Sequence, residues 1–320
     1  MSDQSLIKVE HLTRLFGPHR AVDDLNFEVR RGEVLGFLGP NGAGKSTTMR
    51  MITGNLAPSQ GRIIVNGIDI LDQPKLAKAE IGFLPEQPPL YGELTVNEFL
   101  NFCARLNRIS RDKQAKAIDT VKMRCGLGEV GGRLIANLSK GFQQRVGIAQ
   151  AIIHSPAIVI LDEPTVGLDP IQIREIRHLI RELGGEHSVI LSTHILPEVQ
   201  ATCDRVQIIH QGKLVLTDSI DGLAQRMQSS SIQVRFAKPY DEPSLLDIEN
   251  IKAVDRLSDV KCRVHHDPET NPATAIAELA VIRKWGLLEL TPERRSLEEI
   301  FVDITTIEAE TPPAEDPVAA

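Results

Sequence analysis

Residues Gly39 to Thr47 read GPNGAGKST, and this stretch decides the fold. It fits the pattern G-x-x-x-x-G-K-[ST], with a short apolar run, Glu33 to Leu38, before it and a helix-forming stretch, Lys45 to Gly54, after it. Strand, glycine-rich loop and helix in that order make a phosphate cradle. Glycines at 39, 42 and 44 let backbone N–H groups crowd an anion, Lys45 neutralises its charge, and the Ser46 hydroxyl can ligate a metal ion. Pro40, Asn41, Ala43 and Thr47 complete the loop. The sequence thus predicts a site for a nucleoside triphosphate with Mg2+. The bland alternative, a glycine-rich turn with no ligand, has to be weighed against the rest of the chain.

Length and composition set the frame. A chain of 320 residues suggests about two domains, and 42% hydrophobic with 25% charged residues is ordinary for a soluble globular protein. The net charge of −7 is spread out, and short basic pairs such as Arg30-Arg31 and Arg294-Arg295 read as solvated surface, so nucleic acid is not an expected partner. Cysteines at 103, 125, 203 and 262 have neither C-x-x-C nor metal-ligand spacing, which points to reduced thiols in the cytoplasm. The stretch MSDQSLIKVEHLTR lacks an apolar signal core. The longest apolar runs, such as Ala157 to Leu161, are strand-sized against the ~18 residues a bilayer span needs, so membrane work is expected of another chain.

Outward from the loop, IKVEHLTRLF and AVDDLNFEV alternate as antiparallel strands joined through Gly17-Pro18, and RIIVNGIDI supplies further β structure. Ile81 to Leu84 is a short strand followed by EQPPLYGEL, which its prolines keep irregular. Thr95 with Glu98 three residues on is a capping pair opening a helical region that runs, with interruptions, to about Cys125. From Ser139 the order is helix, strand AIVIL, helix, strand SVILS, helix, strand RVQIIH, the alternation of a parallel sheet. Composition changes over Gly222 to Ser231. Beyond it SIQVRFA, an acidic helix candidate, KAVDRL, KCRVHH and a helix from about Pro272 to Trp285 predict a small α+β domain. Its His265-His266 pair reads as surface histidines, and residues 308–320 as a disordered tail.

IVILDE, Ile158 to Glu163, is an apolar strand ending in two acids. Beside a phosphate loop, such a strand delivers carboxylates to the nucleotide: Asp162 to hold magnesium, Glu163 to orient and deprotonate the attacking water. In LSKGFQQR, Ser139 starts a helix with Gly141 two residues on, where a helix N-terminus and a hydroxyl can meet a phosphate.

LSKGFQQR resembles the LSGGQ-type signature of ABC ATPases, with Lys140 and Phe142 as departures from the consensus. The resemblance extends over about Leu6 to Leu216. It implies that Phe16 stacks on adenine, that Asp169 of TVGLDP shapes a dimer contact and that His194 is the switch histidine at the γ-phosphate. The family's Q-loop glutamine falls on Glu86 in the simplest register, with Gln87 as the alternative. The implied fold is α/β: a P-loop ABC cassette over 1–221, with an antiparallel β subdomain and a helical subdomain at about 95–155. A small α+β domain would follow over 222–307, its SLEEIFVDIT ending similar to exporter-type extensions. The implied function is ATP hydrolysis by the cytoplasmic subunit of an exporter, lying on the membrane through a separate permease chain. Two cassettes, a homodimer or a heterodimer, would sandwich ATP so that Ser139 and Gly141 serve the partner's nucleotide. The rival reading is a soluble non-transport ABC-type ATPase or a nucleotide-dependent regulator. A GTP switch is disfavoured because neither N-K-x-D nor D-x-x-G occurs.

Overall fold

The computed structural model describes residues 5–226, 228–267 and 270–294. The expectations for the 308–320 tail, the end of the small domain near 307 and SLEEIFVDIT lie outside the described residues. The chain divides into two compact units, Met1–Ile220 and Asp221–Ala320.

The first unit opens with β1 (Ser5–Phe16) and β2 (His19–Arg30), an antiparallel pair turning at Gly17, whose φ of 58° suits glycine. β3 (Val34–Leu38) enters the phosphate loop, and α1 (Lys45–Ile52) leaves it. β4 (Gln60–Val65) and β5 (Ile68–Asp69) then form a hairpin, with Asn66 and Gly67 both at positive φ as its two-residue turn requires. α2 (Pro74–Ala79) leads to β6 (Ile81–Leu84).

The helical stretch contains α3 (Val96–Leu106), α4 (Arg111–Arg124) and α5 (Lys140–Ile152). α3 starts on a complete capping box: Glu98 N donates to Thr95 Oγ1 at 3.2 Å, and Thr95 N donates to Glu98 Oε2 at 2.8 Å. β7 (Ile158–Asp162), α6 (Pro170–Gly184), β8 (Ser188–Thr193), α7 (Leu196–Thr202), β9 (Arg205–His210) and β10 (Lys213–Ser219) follow, and α8 (Ile220–Arg226) begins at the division between units.

These strands make two sheets. One is antiparallel, in the order β2-β1-β4-β5; the other runs β10-β9-β3-β8-β7-β6, parallel except that β10 returns antiparallel to β9. β3, β7 and β8 are buried along their whole lengths, which is why they read as unbroken apolar runs rather than alternating ones. α1 buries Met49, Met51 and Ile52 between the sheets, each worth about 2 kcal/mol of apolar burial. A second core gathers Phe99, Leu100 and Val146 from the helical stretch with Ile180 of α6. The phosphate loop leaves the carboxyl end of β3 between β8 and β9, where open α/β sheets leave a crevice.

The second unit pairs β11 (Gln228–Phe236), β12 (Ile251–Ser258), β13 (Lys261–His266) and β14 (Leu287–Arg294) in one antiparallel sheet, β12-β13-β11-β14, with α9 (Glu242–Leu246) and α10 (Ala273–Ile282). Phe236, Tyr240 and Trp285 form its aromatic centre, with the Phe236 and Trp285 rings 5.3 Å apart. One expectation is corrected here. His266 is 7% exposed, with Nδ1 2.8 Å from the Asp267 carbonyl, while His265 has an acidic companion, Asp255, at 2.8 Å across the strands. Successive residues of a strand face opposite sides, so adjacent histidines cannot both lie on the surface of a sheet with one buried face. All four cysteines are free; burial pushes Cys103, Cys125 and Cys203 up to about 12 and Cys262 to about 11, which keeps them as unreactive thiols.

Candidate active site

The loop is shaped by what its glycines exclude. A Cβ on Gly39 would meet the Ile209 carbonyl oxygen at 2.4 Å, and one on Gly44 would meet that of Ala21 at 2.6 Å, with Gly44 also at φ 105°. Side chains here would push the loop off its neighbours. The Ala43 amide bonds the Pro40 carbonyl and Thr48 the Gly44 carbonyl. Among the described residues, the amides of Gly44 to Thr47 have no such acceptor. They form the open N-terminus of α1, whose cap residue Gly44 has no side chain to satisfy them.

Lys45 is buried, and its Nζ donates to the carbonyls of Gly39 (2.8 Å) and Pro40 (3.2 Å). It also lies 3.4 Å from Glu163 Oε1. Glu163, only 6% exposed, has Oε2 3.0 Å from His194 Nδ1. The carboxylate therefore sits between two positive or potentially positive groups. Its backbone adopts φ 49°, uncommon for a residue with a side chain, and its amide bond to the Ser192 carbonyl (2.9 Å) holds that conformation. Asp162, one residue earlier and the last of β7, accepts from Ser192 Oγ at 2.7 Å and is buried.

A pocket of ≈ 550 Å³ takes its walls from Asn41, Gly42, Gly44 to Thr47, Glu163 and His194, with Phe16, 45% exposed, at its rim. Phe16 already carries the Arg14 guanidinium 4.7 Å from its ring centre. Glu86 lines this pocket too, whereas Gln87 lines only an adjoining cleft of ≈ 380 Å³ that it shares with Glu86, Pro88, Leu90 and Lys140. Gly39, Pro40, Ala43 and Asp162 are not among the residues that line it. Ser139 and Gly141 are not brought to it. Ser139 Oγ accepts from the Phe142 amide at 3.4 Å at the start of α5, and Gly141 is packed so closely that a Cβ would meet Gln172 Cδ at 2.5 Å. Asp169 caps α6, accepting from the amides of Ile171 and Gln172.

Sequence reasoning missed His19, Ala21 and Val166 in the pocket wall. It also missed Glu198 of α7, which is 1% exposed. Its carboxylate accepts from Thr165 Oγ1 and from Thr193 Oγ1 (2.9 Å), and it lies 3.8 Å from the Arg177 guanidinium. Glu198 thereby ties the segment after Glu163 to the segment before His194. The available signal was its position: Glu198 and Thr202 are four apart and share the inward face of a short helix that opens with Pro197.

A profile of the ABC transporter family matches residues 22–166. The bacitracin transport ATP-binding protein BcrA of Bacillus licheniformis is 41% identical over 224 residues, 69% of this chain and 72% of that protein. The chain belongs to the ABC transporter ATP-binding family. The linearmycin resistance ATP-binding protein LnrL of Bacillus subtilis (strain 168) is similar over nearly the whole length, 30% identical over 305 residues, 94% of this chain and 98% of that protein. A solved ATP-binding subunit of an ABC transporter superposes with a TM-score of 0.63 at 32% identity, covering 69% of this chain and 93% of its own. The cassette is accordingly the ATP-binding and ATP-hydrolysing subunit of an ABC transporter. Among the described residues no helix is long and apolar enough to cross a membrane, and no cluster of three or more His, Cys, Asp or Glu forms a metal site of its own.

Proposed function

We propose that this cassette drives export as one half of a head-to-tail pair, using Glu163 as the base that activates water. The observation carrying this reading is the cluster of buried Lys45 and Glu163 with the exposed His194 at a pocket that Ser139 and Gly141 do not line. Lys45 and the open amides of α1 take the charge of the phosphates, and Phe16 offers a flat face to the base. Glu163 accepts the proton of a water attacking the γ-phosphorus while the bond to the ADP oxygen breaks. His194 donates to the γ-phosphate and, through its 3.0 Å contact, fixes the Glu163 carboxylate.

The donor set also suits Mg2+: Ser46 in the wall and Asp162 at the end of β7 would hold it, and Glu86 brings a further carboxylate to the same pocket. When bound, the ion neutralises charge on the phosphate oxygens. Ser139 and Gly141, at the N-terminus of an ordinary capped helix, would close the pocket of a second cassette, identical or related. The names of BcrA and LnrL, a bacitracin transport and a linearmycin resistance protein, favour outward transport through a separate permease chain.

The test is Glu163→Gln. It should keep ATP binding and trap a dimer of cassettes on size exclusion, while steady-state hydrolysis falls by about 100-fold or more. Undiminished turnover would remove Glu163 as the base.

A further inference from the structure

Glu198 is a buried acid that the steps of hydrolysis do not use. It lies in the first turn of α7, where a glutamate ordinarily turns back to cap the helix start or simply complements the helix dipole. Capping is already done by another residue: the amide of Ile195, the N-cap of α7, donates to Thr193 Oγ1 at 3.1 Å. The Glu198 side chain reaches instead to two other segments of the chain. Its Oε1 accepts from Thr165 Oγ1 and lies 3.8 Å from Arg177 Nη2 of α6, while its Oε2 accepts from Thr193 Oγ1 at 2.9 Å. Thr165, Thr193 and Glu198 are all buried, where a hydrogen bond is stronger than in water and a lost one is costly.

The position of this fork gives it a function. β7 and β8 stay paired as far as Asp162 and Ser192, and the amide of Glu163 still bonds the Ser192 carbonyl at 2.9 Å. Beyond that point the ladder stops. Thr165 is two residues past Glu163, and Thr193 immediately precedes His194, so the carboxylate bridges the two segments just where the sheet no longer does. The Thr193 hydroxyl gives its proton to Glu198 while accepting from Ile195, which fixes the backbone on both sides of His194. α7 is in turn seated on the strand that feeds the phosphate loop: Val199 is fully buried, and a Cβ on Gly36 of β3 would meet Val199 Cγ1 at 2.6 Å.

We propose that Glu198 is a positioning residue for hydrolysis, holding Thr165 and Thr193 so that the Glu163 carboxylate and the His194 ring keep the spacing at which Glu163 takes the proton of the attacking water. The proposal rests on the roles given to Glu163 and His194. A packing role needs only a side chain of the right shape at position 198, whereas positioning needs both oxygens. A glutamine amide has the shape but offers one acceptor oxygen and turns a donor toward the other hydroxyl. One of the two segments then loses its anchor without a cavity being opened.

Glu198→Gln and Thr165→Val are to be compared in the full chain by ATP turnover, ATP affinity and melting temperature, with Glu163→Gln alongside. Each of the first two should lower kcat by about 10- to 100-fold while KM and ATP affinity hold within about twofold. Combined, they should be no worse than the worse single variant, because both remove the same hydrogen bond from opposite ends. Thr165→Ser keeps the hydroxyl and should restore turnover. If Glu198→Gln does not fold, Thr165→Val and Thr165→Ser report on the same bond. Normal kcat in Thr165→Val, a raised KM with kcat unchanged, or losses that multiply in the double variant would overturn the proposal. Collapse of turnover in Glu163→Gln with normal turnover in Glu198→Gln overturns the positioning role alone, whereas normal turnover in Glu163→Gln removes the base, and the positioning role with it.

Discussion

The nucleotide pocket and the α3–α4 tip both concentrate charge, and they treat it in opposite ways. At the pocket, Lys45 and Glu163 are both buried, their positions fixed by loop carbonyls, a backbone amide and His194. At the tip, where α3 ends and α4 begins, Arg105, Arg108 and Arg111 are exposed and, among the described residues, have no ion-pair partner. Buried charges must be compensated at defined distances, so substitution there disturbs chemistry and stability together. Exposed charges are nearly free to change without cost to folding.

The contrast can be broken at graded points. The largest effect belongs to Glu163→Gln, where turnover should collapse while ATP still binds; a loss of ATP binding as well would mean that Glu163 only holds Lys45 in place. Next comes Glu198→Ala, which strands the hydroxyls of Thr165 and Thr193 in the interior and should cost about 3 kcal/mol of unfolding free energy by denaturant titration. Glu198→Gln keeps an acceptor and should fold almost normally. If it lowers kcat with ATP affinity unchanged, Glu198 positions the residues around Glu163 and His194, whereas normal turnover would leave it a packing residue. Gly39→Ala drives a methyl toward the Ile209 carbonyl and should cost about 1–3 kcal/mol, read as a lower melting temperature together with weaker ATP binding. The smallest effect is expected at the tip: Leu106→Ala should shift stability by less than about 0.5 kcal/mol and leave ATP turnover untouched. A large loss there would show the tip to be part of the folded core.

What could be read in the sequence follows the same division between local and distant causes. Strand, loop and helix around GPNGAGKST, the Thr95–Glu98 cap and the buried run IVILD are set by neighbouring residues, and each formed where its pattern stood. β10 was not legible. As an edge strand added to β9, it is half-exposed along most of its length, so KLVLTDS shows neither a buried run nor a clean alternation. β14 went unread for a related reason, since LLELTPER carries a proline that demotes a strand, tolerated here at a sheet edge. Glu198 points inward because threonines from two distant segments meet it, and no single stretch of sequence contains that fact. His266 could have been placed by the two-residue period of KCRVHH, in which Cys262, Val264 and His266 share the buried side.

The pairing of β3 carries a consequence for synthesis. Leu38, the residue that leads into the phosphate loop, lies beside Thr193 on one edge and Ile208 on the other, and the amide of Gly39 bonds the Thr193 carbonyl at 3.3 Å. Both flanking strands leave the ribosome long after the loop itself, a delay on the order of ten seconds at ordinary elongation rates. Through that interval the emerging chain holds GPNGAGKST without the strands that frame it. The frame around the loop is therefore completed late, first by β8 and then by β9.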